Sequence, residues 1–400
     1  MSTPLLTEAQ ALAPMAVALR RQIHAYPELG LELPRTQEVI VDALARLPLR
    51  VTTGNDCTSV VAVLEGEQPG PTVLLRGDMD ALPLPEQNGL PFASEVDGAM
   101  HACGHDAHVA MLVGAAHVLA DHRAELAGRV LFMFQPGEEG HAGARVMLRE
   151  GLLDGPDSPA AAFALHTTPT MRAGVVGCRR GPLMAATNTL RIRVVGRGGH
   201  ASMPHDAVDP ITVAAEIVTA LQSFVTRRVN AFDPAVVTVA KFTAGTAVNV
   251  IPEDALIEGT IRTFSDKTRT DVVDGIVRLA QGIAGAHGCA AEVDLARGYP
   301  VTINNDSMAD YLLSAACRVL GDDATRTMPT PVMGAEDFSF VLHKVPGAMA
   351  FLGTRPDGVD GPVAPNHSNK MLLNEDALAA GIAVHATAAL GFAAAAESAG

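Results

Sequence analysis

Three short apolar runs in the first half of the chain constrain its fold more than any other feature. Residues 72–75, 130–134 and 161–165 are apolar at nearly every position, and stretches with helical patterning separate them. A run that is apolar on both faces is typical of a strand buried in a largely parallel sheet, with helices on both sides. The sequence therefore predicts an α/β fold with a mixed, mostly parallel sheet flanked by helices.

The pattern changes at about Asn188, where apolar and charged residues begin to alternate as they do in a half-exposed strand. The predicted elements that follow are a helix at 210–228, strands at 236–242 and 255–264, a helix through 272–283 and a strand at 290–295. This β-α-β-β-α-β order is the ferredoxin-like arrangement. We predict a discontinuous α/β domain formed by 1–187 and 299–400, interrupted by an inserted α+β domain at 188–298.

The charge balance argues against several classes of partner. The chain has 29 Lys and Arg against 44 Asp and Glu, a formal net charge of −15, and no long basic block. No basic patch is therefore available for nucleic acid or an anionic membrane surface. Five cysteines lie far apart, which fits a reducing compartment.

Two stretches bear on localisation. The N-terminus lacks the basic start and apolar core of a targeting segment. The Ala-rich stretch at 377–396 is expected to be a helix packed on the core rather than a membrane span, because no charged anchors flank it. We therefore expect a cytoplasmic protein with no membrane partner.

Each of the three apolar runs leads into polar residues. Asp78 and Asp80 follow the first run, Glu138 and Glu139 follow the second, and His166 follows the third. In open α/β sheets, ligands bind at the carboxyl ends of the strands. We therefore expect these side chains to converge on one site.

Segment 101–108 holds the densest group of ligand-type side chains and directly precedes an apolar helix. Cys103 and His105 can both reach one metal ion if Gly104 lets the backbone turn between them. His108 and His117 are expected to be ordinary helix residues. A Cys103 nucleophile with a His partner stays open as an alternative, although the surrounding carboxylates favour metal binding.

The Glu138–Glu139 pair suits metal-assisted hydrolysis. Adjacent residues on a turn point in different directions, so one carboxylate can bind a metal while the other takes the proton of the water that the metal activates. The G-x-S-x-G, G-x-x-x-x-G-K-[ST] and H-E-x-x-H signatures of other mechanisms do not occur in the chain.

Six motifs occur in order along the chain. They are RGDMDALP (76–83), HACGHDAH (101–108), FQPGEEG (134–140), LHTTP (165–169), GRGGHASMPH (196–205) and MGAEDFSF (333–340). Together they resemble the M20 family of dinuclear metal amidohydrolases, in the branch of hippurate hydrolases, N-acyl-L-amino-acid amidohydrolases and auxin-conjugate hydrolases. The resemblance implies a zinc-exopeptidase-like catalytic domain, with the ferredoxin-like insertion as its lid or dimerisation domain.

The resemblance also implies roles for particular residues. It implies two divalent metal ions (Zn, Mn, Co or Ni), with Cys103 bridging them and the other ligands being His105, Glu139, His166 and His367. Glu138 would be the general base, and Asp80 and Asp78 would orient the ligands. In the inserted domain, His200 would polarise the scissile carbonyl, reaching across a dimer. Asn249 and Arg262 would hold the substrate carboxylate.

The implied reaction is the hydrolysis of a small N-acyl amino acid to a carboxylate and a free amino acid by a homodimer. A dipeptidase or aminopeptidase with the same dinuclear site is an open alternative. A non-catalytic metal-binding scaffold is a second alternative, which Glu138 disfavours because a scaffold needs ligands but no base. Ligand type alone does not choose the metal.

Overall fold

The computed structural model describes residues 3–399, with side chains described up to residue 396. Its α-helices are α1 (Pro4–His24), α2 (Pro34–Leu44), α3 (His105–Asp121), α4 (Gly143–Arg149), α5 (Pro210–Arg228), α6 (Asp266–Ala286), α7 (Asp306–Leu320), α8 (Ser339–Leu342) and α9 (Leu378–Ala399). Its strands are β1 (Leu49–Thr53), β2 (Val60–Glu65), β3 (Gln68–Asp78), β4 (Ala127–Gln135), β5 (Ala161–Thr168), β6 (Val176–Cys178), β7 (Gly181–Met184), β8 (Ala186–Val195), β9 (Gly199–His200), β10 (Ala235–Ala244), β11 (Val250–Ile251), β12 (Asp254–Thr263), β13 (Ala290–Asp294), β14 (Thr302–Asn304), β15 (Thr325–Thr327) and β16 (Gly347–Gly353).

The described chain forms two compact units. The first runs to Leu183 and takes in Ile303–Thr330 and the chain from Asp337 onward, while the second comprises Met184–Thr302 and Pro331–Glu336. We predicted 188–298 for the inserted domain and assigned 331–336 to the other one. Those residues belong to the second unit because the Ala185 N–H lies within hydrogen-bond distance of the carbonyls of Val332 and Gly334.

The first unit contains an eight-stranded mixed sheet in the order β1-β2-β4-β3-β5-β16-β6-β15. Its central strands β4, β3, β5 and β16 are parallel neighbours. The predicted mixed, mostly parallel sheet is confirmed. Asp78 lies opposite Gln135 in the β3–β4 register, so the carboxyl ends of these strands meet at one edge of the sheet.

Helices α3 and α9 form much of the core of the first unit. Helix α9 belongs to a stretch long and apolar enough to cross a membrane, but 78% of that stretch is buried inside the protein, and α9 packs against α1, α3 and α7. Close packing of α3 on α9 depends on glycine, since a Cβ at Gly114 would lie 2.5 Å from Cδ1 of Ile382. The apolar stretch is therefore a core helix, as its composition predicts.

The second unit is built on an antiparallel sheet in the order β10-β12-β8-β13, with α5 and α6 packed on it. In β8, Leu190 and Ile192 are buried while Arg191 and Arg193 are exposed, which is the half-exposed pattern that the sequence predicts. The strands of this sheet and the two helices follow the order β-α-β-β-α-β, while the two-residue strands β9 and β11 pair with each other. A lid or dimerisation role for this unit stays a prediction.

Candidate metal centre

The turn before α3 brings Cys103 and His105 to the same point. Gly104 has φ +84°, and a Cβ there would lie 2.3 Å from Oγ1 of Thr167. Both facts require glycine, because residues with a side chain rarely adopt this backbone conformation and Thr167 leaves no space for a Cβ. Ligand atoms of Cys103, His105 and His166 lie within 4.8 Å of one another.

Cys103 also belongs to a second group of ligand atoms, with Glu139 and His367, that meets the same 4.8 Å limit. The His367 Nε2 lies 3.1 Å from Oε1 of Glu139. The structure thus brings all five predicted ligands together in two overlapping groups. Because Cys103 is common to both groups, the arrangement suits two ions that share one thiolate.

Buried atoms without a good hydrogen bond support a metal site here. Among the described residues, both ring nitrogens of His105 and Oε1 of Glu139 are buried and make no hydrogen bond of good geometry, although each lies 3.1–3.4 Å from an ionisable side chain. An unsatisfied buried polar atom costs about 1–3 kcal/mol, and coordination to a cation would satisfy Oε1 of Glu139 and one ring nitrogen of His105, because an imidazole binds a metal through a single nitrogen. Thiolate, imidazole and carboxylate are the donors that divalent transition metals accept. The residues therefore fit the metal pair.

The charges around Cys103 favour its thiolate form. Burial alone would raise the Cys103 pKa, but His166 and His105 together hold it well below its usual range. Burial alone would lower the His105 pKa, but Asp78 and Cys103 raise it well above its usual range. The thiolate is the form of cysteine that binds metal.

Asp80 holds the turn that carries the two glutamates. Its Oδ1 accepts the backbone N–H of Glu138 at 2.9 Å, and its Oδ2 accepts that of Glu139 at 3.0 Å. Both hydrogen bonds anchor the backbone of the turn. Glu138 is 5% exposed, and its ligand-type atom lies within 4.8 Å of those of His105 and Glu139.

Asp78 and His108 lie next to the candidate ligand His105, with Asp78 Oδ2 3.3 Å from His105 Nε2. Asp78 Oδ2 accepts from Nη1 of Arg76 at 2.7 Å, and Asp78 Oδ1 accepts from Nδ1 of His108. The His108 Nε2 accepts the backbone N–H of Thr167 at 2.8 Å. Burial lowers the pKa of His108 to about 4. Both ring nitrogens of His108 form hydrogen bonds within the protein, so His108 is not free to bind a metal ion.

The ring of His166 is oriented by its own strand. Its Nδ1 donates to the carbonyl of Thr167 at 2.8 Å, which leaves Nε2 facing Sγ of Cys103 at 3.5 Å. Such a bond from the second ring nitrogen fixes both the tautomer and the direction of a ligating histidine.

A buried ionic network beside the site was missed by the sequence analysis. His24 contacts Asp106 through Nδ1 at 2.7 Å and Glu86 through Nε2 at 3.0 Å, and Arg20 Nε lies 3.1 Å from Asp106. Burial alone would lower the His24 pKa, but Asp106 raises it to about 9. The network ties α1 to the first turn of α3, directly after His105. An acidic residue in a first helical turn was the available signal.

The remaining predicted residues lie in the second unit. His200 is exposed on β9, where its Nδ1 accepts from the backbone N–H of Ser202 at 3.1 Å. Asn249 is exposed, and its carbonyl accepts the Ala201 N–H. Arg262 lies on β12, partly buried between two buried neighbours, and burial lowers its pKa.

The family model for peptidase family M20/M25/M40 matches residues 74–391. The chain belongs to this family. The M20 resemblance that the motifs indicate is therefore confirmed. The family and the amidohydrolase and deacetylase names of its relatives make the chain a hydrolase that acts on amide bonds.

Three relatives illustrate the range of the family. This M20 chain is 38% identical over 380 residues to thermostable carboxypeptidase 1 of Saccharolobus solfataricus, covering 94% of this chain and 95% of the relative. It is 40% identical over 339 residues to the N-acetylcysteine deacetylase of Bacillus subtilis, covering 84% and 88%. The crystal structure of the Bacillus subtilis YXEP protein, described as a dinuclear metal binding peptidase, is similar with a TM-score of 0.82 and 35% identity, covering 96% and 99%.

Proposed function

We propose that this M20 hydrolase cleaves the amide bond of N-acyl amino acids to give a carboxylate and a free amino acid. Its cofactor is a pair of divalent metal ions. The observation that carries the proposal is the pair of ligand groups that share Cys103, with Glu138 beside them. The similar YXEP protein, described as dinuclear metal binding, supports the same cofactor.

Glu138 is proposed as the general base. When bound, the ions polarise the scissile carbonyl and lower the pKa of water. The buried Glu138 carboxylate then accepts a proton from water and later delivers it to the leaving amine. Asp80 supports this role because it holds the backbone N–H groups of Glu138 and Glu139. Glu139 is proposed as a metal ligand, together with its neighbour His367.

The proposed substrate class is supported by the relatives and by the positively charged side chain of Arg262. The N-acetylcysteine deacetylase supports an N-acyl amino acid. We propose that Asn249 and Arg262 hold the carboxylate of that substrate, since a guanidinium binds a carboxylate through two parallel hydrogen bonds. The carboxypeptidase relative favours a second candidate, a peptidase that also needs a free carboxylate.

A substrate panel tests the proposal. The protein is stripped by chelation and reloaded separately with Zn, Mn, Co and Ni. We expect hippurate or N-acetyl amino acids to be hydrolysed at least about tenfold faster than dipeptides with a free amino group. The same N-acetyl amino acid with its carboxylate blocked as an amide should lose roughly 10- to 100-fold in kcat/KM, the worth of a charged hydrogen bond.

Three other outcomes of the substrate panel would contradict parts of the proposal. Faster hydrolysis of free dipeptides would favour the peptidase candidate. Equal hydrolysis of the blocked substrate would contradict the roles of Asn249 and Arg262. A protein that holds two ions and hydrolyses no member of the panel would contradict the proposed substrate class.

His200 is proposed to donate a hydrogen bond to the carbonyl oxygen, where negative charge develops during attack, and to do so in the partner chain of a homodimer. The test mixes Glu138→Gln protein with His200→Ala protein under subunit exchange. We expect activity to return, because a mixed dimer has one intact composite site. If mass spectrometry shows that subunits exchange and no activity returns, His200 does not act in the active site of the partner chain.

A further inference from the structure

Asn366 connects three segments of the chain that carry proposed metal ligands. Its Nδ2 lies 3.0 Å from the carbonyl of Cys103 and 3.1 Å from that of Thr167, the residue after His166. Asn366 itself directly precedes His367. One side-chain amide therefore joins the three segments that carry Cys103, His166 and His367.

The backbone at His367 needs this support. His367 has φ +67°, in the left-handed region that non-glycine residues rarely adopt. Such a conformation costs on the order of 1–3 kcal/mol and persists only when its surroundings hold it. The His367 N–H donates to the carbonyl of Ala102 at 2.8 Å, and Asn366 binds the next carbonyl along the same segment. These two bonds dock the His367 loop onto the Cys103 turn.

The side-chain amide of Asn366 also lies near the sulfur of Cys103 and near the carbonyl that orients His166. Its Nδ2 lies 3.7 Å from Sγ of Cys103, within the range of an N–H···S hydrogen bond. The Thr167 carbonyl that accepts from Asn366 also accepts Nδ1 of His166. A donor to a ligating sulfur changes the electron density of that sulfur, and an outer hydrogen bond sets the direction of a ligating ring. Because the amide has two hydrogens for three acceptors, one hydrogen is shared between two of them; Asn366 thus contacts the thiolate within this shared set and acts on His166 through the Thr167 carbonyl.

We propose that Asn366 is a positioning residue that sets the metal affinity of the pair of sites and the donor strength of the Cys103 thiolate. The inference rests on the proposed function, because it takes Cys103, His166 and His367 as ligands. Replacing hydrogen-bond partners of metal ligands typically weakens metal binding by roughly 10- to 100-fold. A loss of this size is expected when the Asn366 amide is removed.

The test compares Asn366→Ala and Asn366→Leu with wild type. The leucine keeps most of the volume and removes both donor hydrogens. The matched control is Asn369→Ala in the same loop, because the Asn369 side chain makes no hydrogen bond among the described residues. Co²⁺ affinity is measured by competition with a chelator, and the absorption band from thiolate to Co²⁺ charge transfer reports on Cys103. Thermal unfolding of the metal-free proteins checks folding.

We expect both Asn366 variants to bind at least one Co²⁺ roughly 10- to 100-fold more weakly and to shift the thiolate band, with the control unchanged in both readouts. Wild-type affinity and an unshifted band in Asn366→Leu would overturn the proposal, even if Asn366→Ala were impaired, because the amide would then only fill space. A wild-type protein without two ions or without a thiolate band would instead overturn the ligand assignment of the proposed function.

Discussion

Replacement of Glu138 by Gln is expected to lower turnover by at least about a hundredfold, the usual contribution of a general base, with the metal ions still bound. Glutamine keeps the shape of the side chain but cannot accept a proton from water. The backbone at Glu138 should stay in place, because its N–H bond to Asp80 does not involve the side chain. Steady-state kinetics and metal analysis on the same preparation give both quantities.

Glu139→Gln is the matched control, since it makes the same chemical change one residue along the turn. Glu139 belongs to the ligand group with Cys103 and His367, so this variant should lose metal as well as activity. Turnover of Glu138→Gln within a few-fold of wild type would rule out the base assignment. Equal metal loss in both variants would mean that Glu138 is a ligand instead.

Replacement of Cys103 by Ala is expected to remove at least one of the two ions. Cys103 is common to both ligand groups, so its loss leaves each group with two of its three donors. Loss of a hydrogen-bond partner of a metal ligand typically weakens metal binding by roughly 10- to 100-fold. Because Cys103 is itself proposed as a ligand, we expect the affinity for the more weakly bound ion to fall by more than this. The measurement is metal content per chain after chelation, reloading and dialysis.

Cys178→Ala is a suitable control, because Cys178 is also a buried cysteine of the first unit. Burial raises the pKa of Cys178 to about 12, so its side chain stays a thiol, and its contacts are with Asn304 and the Met349 carbonyl. Metal content should match wild type in this variant. Two ions retained in Cys103→Ala would contradict the shared thiolate.

The contrast between these two cysteines shows why burial alone does not define a metal site. Both thiols are removed from water, which by itself would raise the pKa of each. Only Cys103 faces two histidines, His105 and His166, which together hold its pKa well below the usual range. The sequence distinguishes the two by local spacing, since Cys103 has His105 two residues away and Cys178 has no such neighbour.

The sequence by itself determined the features that depend on neighbours along the chain. Apolar runs predicted the central strands β3, β4 and β5, because a strand buried on both faces must be apolar throughout. Gly104 between Cys103 and His105 marked a turn that only glycine allows, and its positive φ bears this out. Since parallel strands end at one edge of a sheet, the sequence also placed Asp78, Glu138 and His166 near one another.

Only the tertiary structure decided which distant segments support those residues. The Asp80 bonds to the glutamate turn, the Asn366 bonds to two carbonyls and the His24–Asp106 contact each join segments that are far apart in the chain. A side chain that binds a backbone N–H or carbonyl, as Asp80 and Asn366 do, leaves no pattern in the sequence, because nearly every residue has both groups. The place of 331–336 in the second unit was decided in the same way, by backbone bonds to Ala185. Candidate ligands were therefore predictable from the sequence, whereas the contacts that hold their segments in place required the folded chain.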